Sequence, residues 1–402
     1  MSLRLRSIVT GTSLAALAFL LYSIQIGRTP LSADEFQLLQ QAQSITETGR
    51  DLAGRGTPLF PQIAGEHWQQ PMAVYATAAM SAVAPALVAS RLASALVAAT
   101  SVGLLYLLLA RIHPNGWAPL MATTLFAVTP AVLAYARLGV DAIYPVPFVI
   151  AWLLGLWTSL SSGRLRPAVI GAFALGAGVF AQPAAPLTMG FLLLTGIAML
   201  WNAGTRGWRA YGSIVAAFAL PVSATAVWYA VHPETYPDTF GRWVIHAAHV
   251  RHPFEGLRAL VNWTTLGTRA SIYWGSFNPS WLFIDEPDVA GHPLRGIAPF
   301  LSLTAVLAGL GLLRLFRSGA KPWMLTLVAG TLVAPLAAST FGVSHAIEAF
   351  LPLVPFVMLI SAEGIACWPG RHGLMARVLG WTVALLLLAE FALFYIAHLS
   401  RY

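Results

Sequence analysis

Twelve apolar runs, most of them close to 20 residues long, occupy most of this sequence. The first follows Arg4 and Arg6, and the others fall near 71–89, 92–110, 117–136, 144–160, 167–181, 184–201, 210–231, 296–313, 322–341, 348–366 and 376–398. About 20 apolar residues carry a helix across a hydrocarbon core ~30 Å thick, so runs of this kind commit the chain to the membrane. The rest of the composition agrees: 57% of the 402 residues are hydrophobic and 9% are charged, against about 25% charged in a soluble domain. Little sequence remains for a separate soluble unit, and residues 1–402 read as a single all-α, polytopic membrane domain.

The sign and place of the charges decide which runs cross. The formal charge of +8 comes mainly from arginine, and much of it sits in short loops: Arg111; Arg164 and Arg166; Arg206 and Arg209; Arg314, Arg317 and Lys321; Arg371 and Arg377. That distribution sets topology and gives no basis for nucleic-acid binding. The single cysteine, Cys367, excludes an intrachain disulfide. The apolar stretch after Arg4 and Arg6 is longer than the core of a cleaved signal and reads as a retained first span with a cytoplasmic N-terminus. All the basic loops share that side only if one run fails to cross. The run at 71–89, with Pro71 at its start and Pro85 near its end, suits a helix lying in the interface. The expectation is about eleven transmembrane helices, with outer loops at about 28–91 and 232–295.

Ionisable and aromatic residues concentrate in those outer loops. In the first, ADEFQLLQQAQSITETGRD begins at Ala33, and Leu38, Leu39, Ala42 and Ile45 recur at helical spacing, which gives an amphipathic helix over about 33–48. Ser32 or Asp34 suits its N-cap, and acidic side chains suit the positive end of its dipole. The alternative is a general base held at the membrane surface, and the adjacent acids Asp34 and Glu35 are the candidate catalytic residues. Consecutive helical side chains diverge by about 100°, so only one of the two can face a given cavity. Arg137 and Asp141, four apart, share a face if they lie on one helix and make either an ion pair or part of a site. In the second outer loop His246, His249 and His252 are three apart, and a divalent metal would need such imidazoles together with a carboxylate. Glu66 and His249 are the candidate ligands, with Asp141 as another carboxylate, and no other cofactor is suggested. Trp274, Phe277, Trp281 and Phe283 read as interfacial belt residues or as the lining of a lipid groove.

From Ala33 to Thr77 the segment ADEFQLLQQAQSITETGRDLAGRGTPLFPQIAGEHWQQPMAVYAT resembles the first outer loop of the GT-C superfamily of membrane glycosyltransferases. The resemblance is to the group of protein O-mannosyltransferases and 4-amino-4-deoxy-L-arabinose transferases. Relatives there show Asp-Glu, a helix, TGRD-x-x-G, P-L-F, and a Pro-Tyr segment that lies along the membrane. TPAVLAYARLGVDA at 129–142 and YWGSFNPSWLFIDEPDVAGHPLRGIAPF at 273–300 are similar to two further family segments, and SHAIEAFLPLVP at 344–355 to a third. The resemblance implies inverting sugar transfer from a polyprenyl-phosphate-linked donor to a hydroxyl of a lipid, glycan or protein acceptor. It implies an active site on the outer, periplasmic face of a bacterial inner membrane, in contact with membrane lipids. It makes Asp34 the general base, leaves Glu35 to the helix dipole, and puts Arg137, Asp141, Gln70, Tyr75, Arg269, Arg295 and His345 in the substrate-binding set.

Two cations expected from the family pattern are replaced: Gln69-Gln70 precedes Pro71, and Ile347 and Glu348 occupy the place of an arginine. The competing class is a transporter or lipid flippase of the cell envelope, which would place ionisable or helix-breaking residues at the midplane of paired spans. Here the ionisable residues gather in the outer loops.

Overall fold

The computed structural model describes residues 3–28, 31–62, 68–114, 116–205, 207–233, 263–284, 297–317, 319, 321–341, 347–367 and 374–400. Among these the chain is helical, and β-pairing is confined to the isolated bridges Arg50–Gly56 and Gln62–Trp68. His246, His249, His252, Glu66, Arg295 and His345 lie outside the described residues.

Among the described residues seven helices are long and apolar enough to cross a membrane: Leu5–Ser23, Ala86–Ile112, Asp141–Ser162, Ala185–Asn202, Trp208–Val231, Pro322–Thr340 and Ile347–Ala366. An eighth is made if Ala118–Val128 (α5) and Pro130–Ala136 (α6), bent by 56° at their junction, count as one broken span. The apolar run at 117–136 is therefore not the straight helix its composition suggests. Pro130 has no N–H and pushes the residue before it out of helical geometry; Thr129 accordingly sits at φ −61°, ψ 128°. Arg166–Phe180 and Leu385–Ile396 are shorter apolar helices, and the described residues do not by themselves confirm a count of eleven.

The run at 71–89 divides in two. Pro71–Met80 (α3) has 10 residues, roughly 15 Å at 1.5 Å per residue and half the hydrocarbon thickness. Its partner is Ala86–Ile112 (α4), which starts right after Pro85. Leu3–Ser23 (α1) packs along α4. There a Cβ added at Gly103 would lie 3.5 Å from the Gly11 carbonyl, the small-residue contact by which spans approach where lipid is as apolar as the side chains. Val146–Ser162 (α7) packs on α4 and on Arg166–Ala177 (α8). Ala185–Asn202 (α9) and Trp208–Val231 (α10) follow.

The segment between α1 and α3 is a built unit. Ala33–Thr48 (α2) presents Leu38, Leu39, Ala42 and Ile45 as its buried stripe and ends at Gly49, whose φ of 69° is a left-handed cap that favours glycine. Asp51, buried, accepts from Arg55 N at 2.7 Å and Gln62 N at 3.2 Å, folding the chain back. Phe60 and Trp68 then dock against Phe180 and Trp228, so the TGRD-to-PLF segment is fixed to the outer ends of α8 and α10.

The remaining described helices are Trp263–Gly275 (α11), Pro279–Phe283 (α12), Ser302–Arg317 (α13), Pro322–Val333 (α14), Leu336–Phe341 (α15), Ile347–Phe350 (α16), Val354–Ala366 (α17) and Leu374–Ser400 (α18). Trp274 is exposed, as a belt residue would be, but Trp281 is buried edge-on against Phe350 at 5.1 Å between centroids and belongs to the core.

Candidate active site

The start of α2 sets the two acids about 100° apart and gives them different surroundings. Ser32 is the N-cap: its hydroxyl accepts from Glu35 N at 3.2 Å, and its own N–H donates to Glu35 Oε2 at 3.1 Å, closing a reciprocal capping box. The Glu35 carboxylate, fully buried, also takes the Arg91 guanidinium in two places, Nε to Oε1 at 2.8 Å and Nη2 to Oε2 at 3.0 Å. Gly139 N donates to Oε1 at 2.7 Å. A carboxylate offers about four lone-pair positions, and Glu35 uses all of them. It is an anchor joining α2, α4 and the segment after α6, a larger role than the helix dipole alone. Arg91 Nη1 extends the anchor to the chain after α1 by donating to Ile26 O at 2.8 Å.

Asp34 is the opposite case. Its side chain is exposed in the first turn of α2 and has no hydrogen bond or ion pair among the described residues. Glu348, exposed in the first turn of α16, stands within electrostatic reach of it. Asp141 opens a 3-10 turn, Asp141–Ile143, that packs on α16 and on α4. The segments bearing Asp34, Asp141 and Glu348 thus meet on one side of the bundle. Among the described residues no three of His, Cys, Asp and Glu stand close enough to hold a metal ion.

Arg137 caps the end of α6, so it and Asp141 do not share a helix face: residues 138–140 run non-helical between them. The residue is 3% exposed, Nη1 donates to Tyr22 O at 3.3 Å, and Nε has no partner among the described residues. Burial pulls its pKa down from the ordinary guanidinium value, with the Tyr395 phenol and the Arg91 charge adding smaller and opposite effects. Tyr395 comes from α18 and its hydroxyl is also buried without a partner among the described residues. A guanidinium held dry and short of a hydrogen bond is a donor waiting for an acceptor.

The other proposed binding residues are less convergent. Gln70 is the N-cap position of α3, half-buried, with its side-chain carbonyl unpartnered among the described residues. Tyr75 donates its hydroxyl to Pro58 O; burial, and then the Asp51 charge, push its phenol up, so it ties down the loop as a neutral donor. Arg269 is buried on α11, which packs on α15, and burial lowers its pKa. Arg91 and Gly139 were not among the sequence candidates. Arg91 had a signal: an arginine at the start of an apolar run. Gly139 had none.

No family model and no curated protein matches the chain by sequence. Its fold is similar to that of ArnT from Cupriavidus metallidurans bound to undecaprenyl phosphate, with a TM-score of 0.62 at 13% identity, over 92% of this chain and 62% of that one. The apo state of the same protein gives a TM-score of 0.57 at 13% identity, over 87% and 58%. Archaeal oligosaccharyltransferase AglB from Archaeoglobus fulgidus, in complex with an inhibitory peptide and a dolichol-phosphate, gives 0.51 at 12% identity, over 96% and 55%. Both are GT-C-fold membrane glycosyltransferases, and the chain spans less than two thirds of either. It is an integral membrane protein with the all-α GT-C fold.

Proposed function

We propose that this protein is an inverting glycosyltransferase that moves a sugar from a polyprenyl-phosphate-linked donor to a hydroxyl acceptor at the outer face of a bacterial inner membrane. The observation that carries the reading is the division within the acid pair. Glu35 has every lone pair engaged, whereas Asp34 stands exposed, with no hydrogen bond or ion pair among the described residues, on the rigid first turn that Glu35 anchors. A general base needs a free lone pair and a fixed position, and Asp34 has both. The similar structures hold undecaprenyl phosphate and dolichol-phosphate, which supports a polyprenyl carrier for the donor.

The step is a single displacement. Asp34 takes the proton of the acceptor hydroxyl, the oxygen bonds to the anomeric carbon, and the bond from that carbon to the phosphate oxygen breaks with its electron pair leaving on the phosphate. The developing charge there needs a donor, and the unpartnered Nε of Arg137, on a segment tied to α2 through Gly139 and Glu35, is the cation we assign to it.

The test is sugar transfer from a polyprenyl-phosphate donor by Asp34→Asn protein. Loss of a general base costs about 10²–10⁴-fold in rate, and an exposed unpaired carboxylate should change stability by no more than about 0.5 kcal/mol. Wild-type turnover by a folded Asp34→Asn protein sinks the reading.

A further inference from the structure

Five buried polar atoms without a hydrogen-bond partner among the described residues gather at one aromatic cluster. They are Gln69 Oε1, Gln70 Oε1, Gln182 Nε2, Thr225 Oγ1 and Trp228 Nε1. In the cluster Phe60 lies 6.0 Å from Phe180 and 6.0 Å from Trp228 between ring centroids, and Trp68 lies 5.9 Å from Trp228. Each of the five atoms belongs to one of these rings or to a residue close to one along the chain. Gln69 and Gln70 follow Trp68, Gln182 is two residues beyond Phe180, and Thr225 is one helical turn before Trp228 on α10. Gln182 is 3% exposed.

A buried polar group left unpaired carries the full cost of leaving water, and native folds keep few of them. A group of five at one place marks a surface that a ligand completes. The set is uncharged and mixed: two amide carbonyls accept, an amide N–H and an indole N–H donate, and the Thr225 hydroxyl does both. An anion needs donors alone, a cation needs acceptors alone, and a hydrocarbon needs neither. A sugar hydroxyl donates and accepts at one atom, and the C–H faces of a sugar ring pack on aromatic rings. Arg55 lies over Trp68 at 4.4 Å and takes that ring's face, whereas Trp228 and its neighbour Tyr229, stacked on Phe60 at 6.3 Å, are only half-buried.

The backbone under these groups is set in advance. Gln69 N donates to Pro61 O at 2.8 Å, and Gln70 is the N-cap position of α3. The helix that carries Asp34, α2, runs through the Gly49 cap and Asp51 into the same segment. The cluster thus belongs to the unit that holds the base, and neither α1 nor α18, the helices beside Arg137, supplies any of the five atoms.

We propose that these residues form a binding subsite for the uncharged ring of a sugar. Gln69, Gln70, Gln182 and Thr225 take its hydroxyls, and Trp228 takes a hydroxyl at Nε1 and a C–H face on its ring. The proposal rests on the transfer reaction above and deepens it by naming an uncharged saccharide, of the donor or of a glycan acceptor, as the class the site handles.

The probes are the methyl glycosides of mannose, glucose, galactose and arabinose, read by saturation-transfer NMR on the full chain in lipid nanodiscs. Saturation should reach the ring protons of at least one glycoside, and neither inorganic phosphate nor methyl glucuronide should displace it. Gln182→Leu and Gln70→Leu remove the amide at similar size, and each should weaken binding about fivefold or more, the loss of one hydrogen bond. Their thermal unfolding should fall at or above that of the parent, because an unpaired buried amide stabilises nothing; the two variants keep the test open if one fails to fold. An amide held by the fold or by a structural water would instead give a destabilised variant with unchanged glycoside binding, which overturns the proposal. Absence of saturation transfer from all four glycosides, or displacement by phosphate or glucuronide, overturns it as well. The source of the ring is read from transfer kinetics, with a polyprenyl-phosphate donor of the sugar that binds and its methyl glycoside offered as acceptor. A KM raised by Gln182→Leu for the donor alone assigns the ring to the donor, one raised for the glycoside alone assigns it to the acceptor, and no change in either overturns the subsite. Glycoside binding without transfer by the wild-type protein overturns the transferase reading and leaves the subsite standing.

Discussion

Two carboxylate–arginine pairs lie at opposite ends of α4, and they are built differently. At its outer end Arg91 meets Glu35 in two hydrogen bonds of 2.8 and 3.0 Å with both side chains wholly buried. At its inner end His113, which caps α4, lies 3.3 Å from Glu363 of α17, and Arg314 of α13 reaches the same carboxylate at 3.4 Å. The exposures there are 13% for His113, 12% for Glu363 and 38% for Arg314. The clusters are roughly 33 Å apart along the helix at 1.5 Å per residue. The outer one is dry, bidentate and saturated; the inner one is longer and partly exposed, with His113 and Arg314 each on one carboxylate oxygen and Arg314 Nη1 donating to Glu363 O at 3.2 Å. Exposed pairs contribute about 0–1 kcal/mol and are screened by salt, whereas breaking a buried pair strands a charge in low dielectric. Electrostatic rigidity is therefore concentrated at the end that carries Asp34 and Arg137. The inner end relies on packing: a Cβ added at Gly311 of α13 would fall 1.8 Å from Ile360 O of α17.

Arg91→Ala should break this contrast most severely. It leaves Glu35 buried, charged and without its partner, at a cost of about 3–5 kcal/mol, read as a fall in unfolding free energy in mixed micelles and as lost transfer activity. A loss below about 1 kcal/mol, the ceiling for exposed pairs, would show the outer pair to be no stronger than the inner one.

Gly139→Ala comes next. The new Cβ would meet Ser90 Oγ at 2.3 Å and Ser90 Cβ at 2.6 Å and press towards Glu35 Oε1 at 3.3 Å. Overpacking of this kind costs about 1–3 kcal/mol. Ser90→Gly in the same protein should recover much of that loss, because the obstruction is that one side chain; absence of rescue would point to the backbone of the 137–141 segment instead.

The smallest effect belongs to Arg314→Ala, about 0.2–1 kcal/mol given its exposure and the 3.4 Å separation. The difference from wild type should shrink as salt is raised, while that of Arg91→Ala should not. Equal salt dependence at both ends would erase the distinction between them.

Much of this architecture can be read along the chain because it depends on near neighbours. The amphipathic helix at 33–48, its cap, the failure of 71–80 to cross, and the opposing directions of Asp34 and Glu35 all follow from helical period, proline chemistry and the place of arginines. Expectations failed where a local rule was interrupted. Thr129-Pro130 broke a run that hydropathy alone reads as continuous, and the end of α6 at Ala136 separated Arg137 from Asp141.

What the sequence by itself determined is a membrane-embedded helical chain with an acid pair at the start of an amphipathic helix. Only the tertiary structure decided which acid is free. Glu35 finds Arg91 56 residues away and Gly139 N 104 residues away. Periodicity and charge placement are properties of neighbouring residues, whereas these partnerships exist only because the helices pack so that one buried guanidinium and one bare backbone N–H converge on the same carboxylate.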